Sequence, residues 1–123
     1  MAKIRRGSHV ALNVKDPQAS ARWYSEALGT EIVKYSPHME MAYLSFGTLD
    51  HDIALINAPE GVATGSSGLR HTAMAIEGGP EELKELYRRV KATGAEIDMT
   101  ADHGVSRSFY AFYPDGNRLE VLY

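Results

Sequence analysis

Two histidines and one glutamate carry the chemistry that this sequence suggests. His9 opens the segment SHVAL, His71 opens RHTAM, and Glu120 stands between Leu119 and Val121 near the end of the chain. Successive residues of a strand face opposite sides, so Glu120 is turned away from the side that Leu119 and Val121 occupy. A strand glutamate ordinarily meets solvent. One held between covered faces must be paired, protonated or bound to a metal, because an isolated buried charge is very costly. Two imidazoles and one carboxylate are also the donor set of a non-haem Fe(II) site, which binds the ion on one face and leaves its other positions open. The 123 residues include no cysteine, so no disulfide or thiolate site exists and any metal depends on His, Asp and Glu. Such ligands suit Fe(II), Mn(II), Ni(II) or Zn(II).

The elements that would position these residues come in two similar sets. Residues 8–14 read as a strand, with His9, Ala11 and Asn13 on one face and Val10, Leu12 and Val14 on the other. Asp16 then suits a helix N-cap, Pro17 the first helical position and Gly29 the stop. Strands follow at 30–35, 41–46 and 52–56, and the small, glycine-containing stretch 58–67 reads as a loop. The pattern then restarts, with a strand at 70–76, a helix from Pro80 to Gly94, and a strand at 97–100. A hairpin closes it, in which 109–113 turns through Pro114-Asp115-Gly116-Asn117 into 118–123.

This predicts one α+β domain over residues 1–123, made of two βαβββ repeats, about 8–57 and about 69–123, whose eight strands form an open cup. A lone strand histidine is more often structural than a ligand. Two that open equivalent strands of a repeat are brought together when the copies pack about a shared axis, and Glu120 can reach the same point. Aligning HDIALI with NRLEVL sets Ala54 opposite Glu120, so one potential ligand position has no donor. Asp52, on the same face two residues earlier, takes that place if the register is slipped. His38, beside Pro37, reads as a loop residue without a role.

Composition narrows the partners. A net charge of -3 gives no reason to expect nucleic acid or anionic lipid. No apolar run approaches membrane-spanning length, and Lys3, Arg5 and Arg6 lead into no signal-like apolar segment, so the expected location is cytoplasmic.

The repeat, the placement of His9, His71 and Glu120, and the PDGNRLE hairpin together resemble the vicinal-oxygen-chelate superfamily over residues 8–123. That superfamily includes glyoxalase I, fosfomycin-resistance enzymes, bleomycin-binding proteins and type I extradiol ring-cleaving dioxygenases. Three segments are similar to the catalytic module of the extradiol enzymes in particular. HDIAL resembles the motif of their acid–base histidine, here His51; DHGVS resembles the segment of a substrate-touching histidine, here His103; and Tyr110 matches their active-site tyrosine. The resemblance implies Fe(II), with Mn(II) as the alternative ion, held by His9, His71 and Glu120, and a catecholic substrate cleaved with O2. Extradiol enzymes usually carry two double-repeat modules, and only the catalytic one is matched here. A homodimer or larger homo-oligomer is therefore expected to cover the remaining sheet surface. Rival activities within the superfamily are a glyoxalase I-like lyase, which uses a fourth protein ligand where Ala54 stands, and a non-enzymatic drug-binding protein, which needs no intact triad.

Overall fold

A computed structural model describes residues 2, 7–36, 38, 40–65, 69–102 and 107–123. The elements run β1 (Val10–Val14), α1 (Pro17–Leu28), β2 (Glu31–Ser36), β3 (Met41–Ser45), β4 (Ile53–Asn57), β5 (Thr72–Ala75), α2 (Pro80–Ala92), β6 (Glu96–Asp102), β7 (Arg107–Phe112) and β8 (Arg118–Leu122). All eight expected strands and both helices are present, divided into two four-stranded sheets of order β1-β4-β3-β2 and β5-β8-β7-β6. The pairing starts later than the hydrophobic pattern indicates. Val10 N–H donates to the Asp52 carbonyl at 3.1 Å and opens the β1–β4 ladder, so His9 and Asp52 sit at its mouth.

Each helix begins and ends where its terminal backbone groups find partners. The Asp16 carboxylate accepts the Ala19 N–H at 3.1 Å, and Gly29, at φ 75, returns its own N–H to the Ser25 carbonyl. The N-terminus of α2 carries Glu81 and Glu82, with the Glu82 carboxylate accepting the Gly79 N–H at 2.9 Å, and Arg89 and Lys91 lie in its last turn. That hydrogen bond holds the exposed Glu82 carboxyl below the usual carboxylate range.

The first and last strands of each repeat pair in parallel, and the crossover helix covers one face of the sheet. Leu12, Val14, Ala42, Leu44, Ile53 and Leu55 are buried on the α1 side, whereas Ala11 and Asn13 of β1 are exposed on the other. In the second repeat Tyr87 of α2 meets Phe109 of β7 edge to face at 5.5 Å, while Leu119 and Val121 are buried on the same side. The buried residues of both repeats join in one core. Among the described residues no helix is long and apolar enough to cross a membrane.

Several contacts among the described residues fasten one repeat to the other. Trp23 of α1 lies against Tyr113, with ring centroids 4.6 Å apart, and donates its indole N–H to Thr93 Oγ1 at 3.0 Å. Arg89 donates through Nε and Nη2 to the Ala27 carbonyl at 3.2 and 3.0 Å, capping the end of α1 from the other repeat. The carboxylate of Asp115, in the Pro114–Asn117 turn, accepts the Lys15 N–H at 2.6 Å. Trp23→Phe keeps a ring in place and loses one hydrogen bond, a cost of about 1 kcal/mol. Trp23→Ala opens a cavity as well and costs about 3–5 kcal/mol. Urea denaturation of the two variants distinguishes these losses, and equal losses would show that the ring contributes nothing beyond its hydrogen bond.

Candidate metal and substrate site

The sheet register turns Glu120 to the face away from α2. Glu120 pairs with Ala73 of β5 on one side and Tyr110 of β7 on the other, and His71 precedes β5 on the same face. His71 Nε2 lies 3.2 Å from Glu120 Oε2, with the side chains 28% and 13% exposed. The Tyr110 hydroxyl hydrogen-bonds to Glu120, and the ring meets His71 edge to face at 5.4 Å. That hydrogen bond pushes the Tyr110 phenol above its ordinary range, and the carboxylate charge acts in the same direction against the opposing Arg118 cation. Tyr110, already neutral near neutral pH, stays a hydrogen-bond donor to higher pH.

Residues of the first repeat occupy the matching positions. Ala54 pairs with Ala11 and Tyr43 as Glu120 pairs with Ala73 and Tyr110, so Ala54 and Tyr43 are the counterparts of Glu120 and Tyr110. The sheet thus adopts the register in which Ala54, not Asp52, mirrors Glu120. The Asp52 carboxylate instead accepts the Phe46 N–H at 2.8 Å, within the turn that precedes β4. His51 packs between the rings of His9 and Tyr43, with centroids at 4.7 and 4.9 Å. Its Nδ1 lies 2.9 Å from the exposed Asp50 carboxylate. A carboxylate can only accept, so Asp50 favours the tautomer with hydrogen on Nδ1 and a free lone pair on Nε2.

The predicted residues therefore meet in two groups, His71 with Glu120 and Tyr110, and His9 with His51. Among the described residues no three His, Asp or Glu side chains cluster closely enough to hold a metal ion. His103 lies outside the described residues, and His38 is exposed in the turn between β2 and β3. The donors of the second repeat fit a divalent cation. An imidazole nitrogen and a carboxylate oxygen that converge at hydrogen-bond distance are chemically the pair that would share an ion in place of a proton.

Four further residues were not singled out from the sequence. Tyr43 escaped because eleven residues separate it from Ala54 while ten separate Tyr110 from Glu120, so an ungapped alignment misses it. Asp50 was legible only as the neighbour of His51. Arg118 and Asp98 meet across a strand irregularity with no sequence signature. A cavity of about 330 Å³ lies on the helix-covered side of the second sheet, lined by residues that include Met74, Leu86 and Val121. Neither His71 nor Glu120 is among its walls, and both stand on the opposite face of the sheet.

Residues 6–121 match the model of the Glyoxalase/Bleomycin resistance protein/Dioxygenase superfamily. The chain belongs to that superfamily. This superfamily member is 31% identical to the biphenyl-2,3-diol 1,2-dioxygenase 2 of Rhodococcus globerulus over 98% of its own length and 64% of the relative's. It is 27% identical to the trivalent organoarsenical cleaving enzyme of a Bacillus species, over 94% of this chain and 71% of that one. Its fold is that of the fosfomycin resistance protein FosX of Listeria monocytogenes, with a TM-score of 0.76 at 24% identity over 98% of this chain and 93% of that one. The superfamily thus spans several chemistries built on one scaffold, most of them enzymatic, and the fold alone does not distinguish them.

Replacing Glu120 by Gln removes the negative charge that favours the neutral phenol and leaves the Arg118 cation beside Tyr110. The Tyr110 phenol should then ionise at lower pH than in the parent. The Cζ carbon resonance of labelled Tyr110, followed against pH in metal-free protein, reads this directly. An unchanged midpoint would place the hydroxyl elsewhere than on Glu120.

Proposed function

We propose that this chain is the catalytic module of an Fe(II)-dependent extradiol dioxygenase, which opens a catecholic ring next to its two hydroxyls with O2. The observation that carries the reading is the division of labour between the repeats. One presents an imidazole and a carboxylate beside a neutral tyrosine. The other presents a carboxylate-oriented histidine beside an alanine at the position that Glu120 holds in its partner repeat. The 31% identity to a biphenyl-2,3-diol dioxygenase over nearly the whole chain supports the same assignment.

His9, His71 and Glu120 would hold the ion, Fe(II) or alternatively Mn(II). A bound redox-active ion supplies the electronic path between dioxygen and a closed-shell aromatic ring, which otherwise react slowly. The remaining work is proton and hydrogen-bond management by the chain. His51, with hydrogen on Nδ1 and a lone pair on Nε2, takes a proton from one catechol hydroxyl and returns it to oxygen as the ring opens. Tyr110 donates its hydroxyl hydrogen to a substrate oxygen once a ligand competes for it with Glu120. His103 orients the substrate, a role carried by the resemblance of DHGVS. A second copy of the chain would cover exposed apolar side chains such as Ile32, Val33 and Met99 and supply the outer wall of the pocket.

Reconstitution with Fe(II) under anaerobic conditions, followed by a panel of monocyclic and bicyclic catechols, tests the proposal. Oxygen uptake should equal the catechol consumed, with coloured ring-opened products. Iron binding without oxygen uptake on any catechol would defeat the dioxygenase reading. His51→Ala should retain iron and substrate and lose about a hundredfold to ten-thousandfold in turnover. Loss of iron from that variant would make His51 a ligand instead of a proton carrier.

Ala54→Glu separates ring cleavage from the four-ligand chemistry of a glyoxalase-like lyase. The substitution places a second carboxylate at the counterpart of Glu120. Divalent metal should bind at least as tightly, since carboxylates favour hard cations. The catecholate, itself an anion, should bind more weakly and oxygen uptake should fall. Parental turnover in this variant would show that Ala54 does not face the ion.

A further inference from the structure

A guanidinium lies beside the His71, Glu120 and Tyr110 group without belonging to any role assigned so far. Arg118, two residues before Glu120 on the same face, stacks its Cζ 4.2 Å from the centre of the Tyr110 ring. Its Nε and Nη2 donate to Asp98 Oδ2 at 3.0 and 2.6 Å, and Nη1 approaches His71 Nδ1 at 3.5 Å. The Arg118 side chain is 16% exposed and that of Asp98 36%. Asp98 is the extra residue of a bulge in β6, where the register to β7 shifts between Ile97 and Met99. A bulge re-aims one side chain relative to the regular pleat, and here the re-aimed side chain is the carboxylate that anchors Arg118.

The first repeat has the bulge without the clamp. The register of β2 on β3 shifts between Ile32 and Lys34, so Val33 stands where Asp98 does. Asp52 precedes Ile53 as Arg118 precedes Leu119, so an acidic residue takes the arginine's place. The arginine–carboxylate pair therefore occurs in the repeat with Glu120 and is missing from the repeat with Ala54. A requirement of the sheet itself would apply to both copies. Restriction to one copy ties the pair to the groups beside it.

We infer that Arg118, anchored by Asp98, is a positioning residue that clamps the Tyr110 ring from its face and so sets the tyrosine hydroxyl and the His71 imidazole relative to Glu120. Arginine suits the task because its planar fork binds the carboxylate while its face stacks on an aromatic ring. Lysine offers a single rotatable charge and cannot do both. The inference concerns geometry, goes beyond ring cleavage, and can be read without turnover as well as with it.

The test uses full-length protein carrying ring-labelled tyrosine, with the Tyr110 resonance assigned through Tyr110→Phe. In Arg118→Met and Asp98→Asn the Tyr110 ring signals should shift and the nuclear Overhauser contact between Tyr110 and His71 should weaken. The Arg118 Nε–H cross-peak should be lost to exchange in Asp98→Asn. Arg118→Lys should resemble Arg118→Met, not the parent. Asp98→Asn is nearly isosteric and partly exposed, so it decides the matter if Arg118→Met does not fold. Tyr110 signals and contacts identical to the parent in every folded variant would overturn the clamp. If the Fe(II) protein cleaves catechols, Arg118→Met should lower kcat with little change in KM, and an unchanged kcat would count against the inference. Shifted Tyr110 signals in a protein that cleaves no catechol would uphold the clamp and defeat the dioxygenase reading separately.

Discussion

The parallel pairing of the first and last strand within each repeat is the constraint on which the rest of the site depends. Two parallel strands cannot be joined by a tight turn, so the chain must cross over, and in both repeats it does so through a helix laid against one face of the sheet. That helix covers one face and leaves the other, which carries Glu120 and Tyr110, free of it. Register then does the sorting. Once Thr72 pairs with Leu119, Ala73 must pair with Glu120 and His71 must stand just outside the ladder on the face that Glu120 presents. A slip of one residue would put Leu119 and Val121 on the open face and Glu120 against α2, at a cost no sheet of this size could absorb.

What could be read from the sequence follows from how local each signal is. Asp16, Pro17 and Gly29 mark α1 because capping is settled within a few residues, and the structure places all three where their chemistry predicts. The Pro114–Asn117 turn and the alternation of Leu119, Glu120 and Val121 are local in the same sense. The alignment of Ala54 with Glu120 survived because it rests on an internal repeat, which averages over strand boundaries that are each uncertain. Features requiring three strands at once were not legible. Asp98 reaches Arg118 only because β6 is bulged, and Asp50 becomes informative only once His51 is seen between His9 and Tyr43. The convergence of His9 with His71 and Glu120 was an inference from pseudo-symmetry, and it remains part of the proposal.

Charge is only partly balanced on the open face of the second repeat. Glu120 brings one negative charge, Asp98 another, and Arg118 a positive one, with Tyr110 and His71 as the groups whose hydrogens can be rearranged among them. Hydrogen bonding to Glu120 and its negative charge raise the Tyr110 phenol above its ordinary range, and the Arg118 cation acts the other way with a smaller effect. Asp98 takes up two of the guanidinium's donors, which limits how much of that cation is available to His71 and Glu120. A cation entering between His71 and Glu120 would meet a carboxylate already partly committed to a phenol. Under the dioxygenase proposal the tyrosine hydroxyl would then be released toward a substrate, and metal and substrate recognition would be coupled through a single side chain.

The two repeats have kept the same backbone and diverged in what they carry. Both retain a histidine before the first strand, an aromatic residue at the Tyr43 and Tyr110 positions, and a bulge in the strand beyond it. The carboxylate, its arginine and the anchoring aspartate remain in one copy only. In the other, the carboxylate position holds alanine and a histidine with an oriented Nε2 packs beside the retained one. A symmetric site would present equal ligands from both sides and leave an ion little room for a bidentate substrate. Under the dioxygenase proposal, the alanine would leave room where an anionic substrate binds, and neighbouring His51 would carry its proton. The specialisation that the proposal requires would then lie as much in the alanine as in the glutamate.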